Sequence, residues 1–170
     1  ADIPLKLSQG ELLTINDNGR YLLVELPSAF IPEYTAQVLY EIQLQGVTPI
    51  IAHPERNAGF TRRPDILQEM ISRGVLAQVT SASITGLFGK KIKRTAFNFL
   101  RRGLVHLVSS DAHSSMGRAP LLNQAQKEIE KYLGSDIAQL LVVQNPCSII
   151  QGDSIEPTAA RSSSRWKIFR

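Results

Sequence analysis

Pro49-Ile50-Ile51-Ala52-His53-Pro54-Glu55-Arg56-Asn57 is the stretch on which the fold turns. An apolar run breaks off on a histidine, and a carboxylate and a guanidinium follow within three residues. Pro54 has no N–H to offer a sheet ladder and fixes its own φ, so a strand here stops at His53. The imidazole then stands at the strand's carboxyl end, where α/β barrels and open α/β sheets keep their chemistry. A lone histidine there is more often a core residue with its hydrogen bonds met. Downstream, however, Val108-Ser109-Ser110-Asp111-Ala112-His113 repeats the arrangement. Two apolar strands that both end on metal-type ligands point to a metal site.

Outward from this stretch the same unit recurs. Tyr21 to Leu26 is a nearly continuous apolar run, as expected of a parallel strand covered on both faces, and its one charge, Glu25, lies at the end before Pro27. Pro32 to Gln45 carries Tyr34, Val38, Leu39, Ile42 and Leu44 as a helical stripe ended by Gly46. Val47 to Ala52 reads as the second strand, and Arg63 to Ser72 as a helix with Pro64 in its first turn. Val75 to Val79 reads as the third strand, running into Thr80 and Ser81, and Lys90 to Arg102 as a helix with Ile92, Ala96, Phe99 and Leu100 inward. Leu104 to Val108 follows as the fourth strand. Arg118 to Tyr132 and Asp136 to Val143 read as helices broken at Gly134. Upstream, Gly10 to Ile15 reads as a turn into a short strand. Strands alternating with helices over short loops predict a parallel α/β fold with right-handed crossovers. From about Gln151, with Pro157 and Ser162 to Ser164, periodicity is lost, which predicts a mobile tail over 151–170.

The totals exclude several classes. At 170 residues, 43% hydrophobic and 20% charged, the chain suits one domain with a real core. A net charge of +4 and 6% aromatic residues argue against a base-stacking nucleic-acid binder. The one cysteine, Cys147, excludes an internal disulfide and suits a reducing compartment. No apolar run reaches transmembrane length and no signal-peptide pattern opens the chain, so a cytoplasmic protein is expected.

In parallel units the strand ends share one rim, which brings Glu25, His53, Thr80 with Ser81, and Asp111 with His113 together. Imidazole and carboxylate suit zinc, manganese or iron. Other chemistries lack their motifs. Cys147 is followed six positions on by Asp153, where a cysteine phosphatase loop needs arginine. Gly86 and Gly89 precede a lysine without G-x-x-x-x-G-K-[ST], and G-x-S-x-G is absent. Lys90, Lys91, Lys93 and Arg94 read as an anion patch or as a solvated helix face. Arg56 and Arg118 stand a few residues beyond a proposed ligand. A guanidinium there can hold phosphate bidentately, although an ion pair of Arg56 with Glu55 or Asp65 is the plainer alternative.

Taken in order from about Gly10 to Ile150, YLLVELP, PIIAHPERN, the S-x-x-G-x-F-G pattern of Ser83 to Gly89, and SSDAH followed by Arg118 resemble the polymerase-and-histidinol-phosphatase (PHP) type of protein-tyrosine phosphatase of bacterial capsule and exopolysaccharide loci. The resemblance implies an α/β fold that is the C-terminal portion of a distorted (β/α)7 PHP barrel, over residues 1–150. It implies two or three metal ions, most often Mn2+, that activate water to hydrolyse phosphotyrosine on the autophosphorylated bacterial tyrosine kinase that drives polysaccharide export. Carried over residue by residue, Glu25 and His53 look like ligands of one metal, Asp111 of a second and His113 of a third, with Arg56 and Arg118 facing phosphate. The family's opening H-x-H motif, a further histidine and a bridging glutamate have no counterpart in this sequence, which reads as the carboxyl-terminal two-thirds of such an enzyme. Such a piece is expected to leave a strand edge bare and to expose the inward faces of Leu22, Val24, Ile50 and Val79. The rival readings are a non-catalytic phosphotyrosine-binding remnant and another PHP phosphoesterase, such as a histidinol phosphatase.

Overall fold

The apolar runs form four strands, β1 (Tyr21–Val24), β2 (Thr48–Ala52), β3 (Leu76–Thr80) and β4 (Leu107–Ser109), in a computed structural model that describes residues 2–113 and 122–155. They pair in the order β1-β2-β3-β4, every pair parallel, with Leu23 opposite Ile50, Ile50 opposite Leu76 and Gln78 opposite Leu107. Parallel neighbours need a crossover connection, and helices supply each one. In chain order the helices are α1 (Ile3–Ser8), α2 (Thr35–Leu44), α3 (Ala58–Arg62), α4 (Pro64–Ser72), α5 (Ser81–Thr85), α6 (Lys90–Arg101), α7 (Asn123–Leu133), α8 (Ser135–Gln139) and α9 (Asn145–Gln151). The α/β reading with alternating strands and helices is therefore observed.

Side-chain alternation gives the sheet two unlike faces. Leu22, Val24, Ile51, Ala77, Val79 and Val108 point into the main core, against Val38, Leu39 and Ile42 of α2, Leu67 and Ile71 of α4, and Phe99 and Leu100 of α6. The opposite face carries a smaller cluster, Tyr21, Ile50, Leu76 and Leu107, covered by Ile149 of α9. The expectation that Leu22, Val24, Ile50 and Val79 lose their packing is corrected, since all four are buried. The exposed residue is Leu23, 52% accessible on the edge strand, so β1 is not covered on both faces.

The chain departs from expectation at both ends of the sheet. No strand forms between Gly10 and Ile15; α1 precedes it and a 3-10 turn over Ile15–Asp17 follows. Asn16 and Asp17 have φ of 54° and 51°, outside strand geometry. Asn16 and Asn18 donate to the Ile150 carbonyl, so the segment is tied to α9 by side chains instead of by a ladder. The break at Gly134 is present (φ 93°), but the helix after it continues beyond Val143. Pro146 lacks the N–H that an α-helical turn requires, and the turn before it, Leu140–Gln144, widens to π geometry so that the helix runs on to Gln151. Through Ile155 the chain still packs, Tyr21 Oη donating to the Asp153 carbonyl. The remainder of the expected tail, 156–170, lies outside the described residues. Among the described residues no helix is long and apolar enough to cross a membrane.

Candidate metal and phosphate site

Because all four strands run the same way, their carboxyl ends open on one rim. Glu25 follows β1, His53 follows β2, Thr80 ends β3 and Asp111 stands two residues past β4. The backbone N–H of His53 still donates to the Gln78 carbonyl at 2.8 Å, so the ladder reaches the histidine and stops there. His53 then turns sharply into a left-handed conformation (φ 35°) ahead of the Pro54–Arg56 turn. Asp111 adopts the same unusual region (φ 50°). Strained backbone at two non-glycine residues on one rim marks positions held for their side chains.

His53 Nε2 lies 3.4 Å from Glu25 Oε1, the histidine being buried and the glutamate side chain 70% exposed. Burial and the Arg56 guanidinium lower the His53 pKa against the pull of Glu25 and Asp111, so the imidazole is neutral at physiological pH, the form in which it binds metal. On the far side of the rim His113 Nδ1 lies 2.8 Å from its neighbour's backbone oxygen, that of Asp111, and 3.8 Å from Asp111 Oδ1. A carbonyl only accepts, so Nδ1 is the donor in this contact, which leaves Nε2 as the ring nitrogen that can face a metal. Arg56 lies beside both groups: its Nη1 donates to Asp111 Oδ2 at 2.9 Å, its guanidinium carbon lies 5.1 Å from the centroid of the Phe88 ring, and it lines a cleft with Glu25 and His53. A small cleft of about 30 Å³ opens between Glu25, His53, Arg56 and Asn57. A cleft of about 540 Å³ between α2 and α4 is lined by Leu39, Tyr40, Leu44 and Met70 and lies away from the rim.

The donor types suit a divalent cation, but as two pairs, Glu25 with His53 and Asp111 with His113. Among the described residues no group of three His, Cys, Asp or Glu side chains is gathered, and a protein metal site ordinarily uses three or more. Each pair therefore fits part of a coordination shell and needs further donors. Arg118 lies outside the described residues, as does the start of the helix expected from it.

The alternative pairing of Arg56 with Glu55 or Asp65 is corrected: Asp65 binds Arg102 instead, and Glu55 points inward. Only 1% exposed, Glu55 takes Thr80 N–H, Thr80 Oγ1 and Ser83 Oγ on its Oε1, while Oε2 has no partner. Thr80 thus serves the scaffold. Burial raises the Glu55 pKa against these donors. Asn57 caps α3 by accepting from Phe60 N–H and donates to the Pro27 and Phe30 carbonyls, clamping the loop after β1 onto the turn. Sequence reasoning missed Glu55, Asn57 and Phe88 as site supports. An Asn immediately before a helix is a cap signal and was legible; nothing local announces the other two.

The rim of the parallel sheet thus carries two histidine–carboxylate pairs and an arginine bound to one of the two carboxylates. The chain belongs to the capsular polysaccharide synthesis family CpsB/CapC, whose sequence profile matches residues 1–151. It is 33% identical over 168 residues to the tyrosine-protein phosphatase YwqE of Bacillus subtilis, covering 99% of this chain and 65% of YwqE. It is 42% identical over 132 residues to the putative tyrosine-protein phosphatase CapC of Staphylococcus aureus, covering 72% and 51% respectively. For the tyrosine-protein phosphatase CpsB of Streptococcus pneumoniae the identity is 36% over 155 residues, 88% of this chain and 63% of that one. Among solved structures it matches, with TM-score 0.89 and 33% identity over 94% of this chain and 64% of the other, one from the work on YwqE and CpsB described as unique metal-dependent tyrosine phosphatases. The chain spans about half to two-thirds of the length of these relatives.

Proposed function

We propose that the chain is part of a metal-dependent protein-tyrosine phosphatase of a bacterial capsule or exopolysaccharide locus, acting in the cytoplasm on a phosphotyrosine protein, the autophosphorylated tyrosine kinase of that locus. The observation that carries this reading is the convergence of Glu25, His53, Arg56, Asp111 and His113 on one strand-end rim in a chain of the CpsB/CapC family. The sheet is then the C-terminal portion of a distorted (β/α)7 PHP barrel. Glu25 and His53 hold one ion, most simply Mn2+, Asp111 a second and His113 a third, each with further ligands. A bound metal lowers the pKa of water toward neutrality and offsets charge on a phosphoryl group.

The side chains of the chain do the rest. Arg56 spends one N–H on Asp111, and the remaining donors of its fork are available to phosphoryl oxygens as charge builds in the transition state. Phe88 holds the guanidinium plane, which a flexible ammonium could not exploit in the same way. Arg118 supplies the second phosphate contact in this scheme.

The rival reading, a phosphotyrosine binder without turnover, is favoured by the absence of a three-ligand cluster among the described residues. Incubating the chain with a phosphotyrosine peptide in Mn2+ while measuring bound metal separates the two. Released phosphate that is lost with chelator and with His53→Ala supports the phosphatase. Peptide binding that needs Arg56 but gives no phosphate at any metal concentration sinks it and leaves the binder.

A further inference from the structure

The helix that leads away from the rim carries an arrangement that its own stability disfavours. α6 opens Lys90-Lys91-Ile92-Lys93-Arg94, four cations in five residues, with no acidic residue in its first turn and no side-chain cap at Gly89. The positive end of the helix macrodipole repels cations there. Two basic side chains in and just after this helix are answered by neighbours: Lys93 reaches Glu128 of α7 at 2.5 Å, and Arg102, just past the helix, reaches Asp65 and Gln68 of α4. Lys90, Lys91, Arg94 and Arg101 are exposed, with no ion pair among the described residues.

Their placement is directional. At 100° per residue, Lys90, Arg94 and Arg101 lie within about 40° of one another, and at 1.5 Å per residue they form a stripe about 16 Å long. The stripe begins two residues after Phe88, the ring beneath Arg56, so it starts beside the proposed phosphate position and runs away from it down the outside of the helix. An extended peptide advances about 3.3 Å per residue, so about five residues next to a phosphotyrosine at the rim span it.

We infer that the outward face of α6, Lys90, Lys91, Arg94 and Arg101, is a docking surface for an acidic stretch of the substrate polypeptide within about five residues of its phosphotyrosine, its charge coming from carboxylates. The inference rests on the phosphotyrosine reading of the rim. The surface adds affinity and on-rate for acid-flanked sites and is weakened by salt, because its charges are solvent-exposed.

Fluorescence anisotropy on the whole chain with four labelled peptides tests it: phosphotyrosine flanked by glutamates, by further phosphotyrosines or by serines, and glutamate-flanked unphosphorylated tyrosine. At low salt the anionic-flanked phosphopeptides bind about tenfold tighter than the serine-flanked one, and the ratio collapses toward one as salt rises. Lys90→Glu with Lys91→Glu and Arg94→Glu removes the preference, the corresponding three changes to Gln reduce it, and Lys6→Glu with Arg20→Glu, on α1 and at the foot of β1, retains it. A gain confined to the phosphate-flanked peptide, with none for the glutamate-flanked one, overturns the carboxylate assignment. Equal affinities for all flanks, or equal loss from both reversals, overturns the surface while leaving the phosphotyrosine reading intact. Tight, α6-dependent binding of the unphosphorylated acidic peptide, with no gain from phosphate, supports the surface and sinks the phosphotyrosine reading. α6-dependent sedimentation with phosphatidylserine vesicles, without any peptide preference, overturns the inference in favour of a membrane.

Discussion

Arg56 concentrates the chemistry of the rim because it pairs with Asp111 while lining the cleft beside Glu25 and His53. Its guanidinium donates one N–H to Asp111 and lies over the Phe88 ring. Arg56→Lys keeps the charge and loses the fork, so kcat for a phosphotyrosine substrate should fall by about 30-fold to 1,000-fold. Arg62→Lys, exposed at the end of α3, should change it less than twofold; similar losses from both would remove the role of Arg56. A second residue-scale test concerns His106, which has no part in the rim. It is fully buried, its Nδ1 accepts the Ala77 N–H at 3.0 Å, and Asn145 donates to its carbonyl. Burial pushes its pKa down to about 4, below the ordinary 6.5. A histidine held neutral contributes stability that is whole above pH 6.5 and fades as pH falls toward 4, amounting to about 2 kcal/mol between pH 7 and pH 5. Glu55, with its raised pKa, works the opposite way, losing stability as pH rises. The comparison must therefore be wild type against His106→Asn in urea melts at both pH values. The variant should lose less stability on acidification, and parallel losses would show that His106 is not the group responsible.

At the scale of the element, the turn from His53 to Asn57 is held from below by Glu55 and from outside by Asn57, so its two outward residues, His53 and Arg56, have little freedom. Asn57→Ala removes the cap of α3 and leaves the Pro27 and Phe30 carbonyls without their donor, which should cost about 2–4 kcal/mol. Asn57→Asp keeps the cap and loses only the donors, so its cost should be smaller. Chemical denaturation orders the two; an Asp variant as unstable as the Ala variant would assign the whole effect to the loop and none to the cap. The position of this turn was legible because Pro54 must end a strand and His53 must then face the rim. The partner of each charge was not. By sequence distance Arg56 could reach Glu55 or Asp65; the burial of Glu55 between Thr80 and Ser83 and the pairing of Asp65 with Arg102 leave it to the distant Asp111.

For the molecule as a whole, one face of the sheet is thick with helices while the other is only partly covered. Leu23 on β1 is 52% exposed beside the buried Ile50, on an edge that has no neighbouring strand among the described residues. Phe30, just beyond β1, is 55% exposed. An apolar edge strand invites pairing with another chain, and a few hundred Å² of apolar surface is worth several kcal/mol at ~25 cal/mol per Å². The 170-residue chain should associate with itself as its concentration rises, and Leu23→Lys should shift it toward monomer in sedimentation velocity. A wild-type chain that stays monomeric at high concentration would show that this face is not adhesive.

The order of the four strands and of the crossover helices α2, α4 and α6, and the presence of Glu25, His53, Asp111 and His113 at or just past strand ends, follow from the sequence alone, because apolar runs, Gly stops and Pro54 are local signals and parallel strands share one rim by construction. The exposure of Leu23, the π turn that lets α9 run through Pro146, the inward turn of Glu55 and the seat of Arg56 on Phe88 were decided only in the tertiary structure. Each depends on which distant residue competes for the same hydrogen bond or the same buried space, and that competition has no signature in sequence spacing.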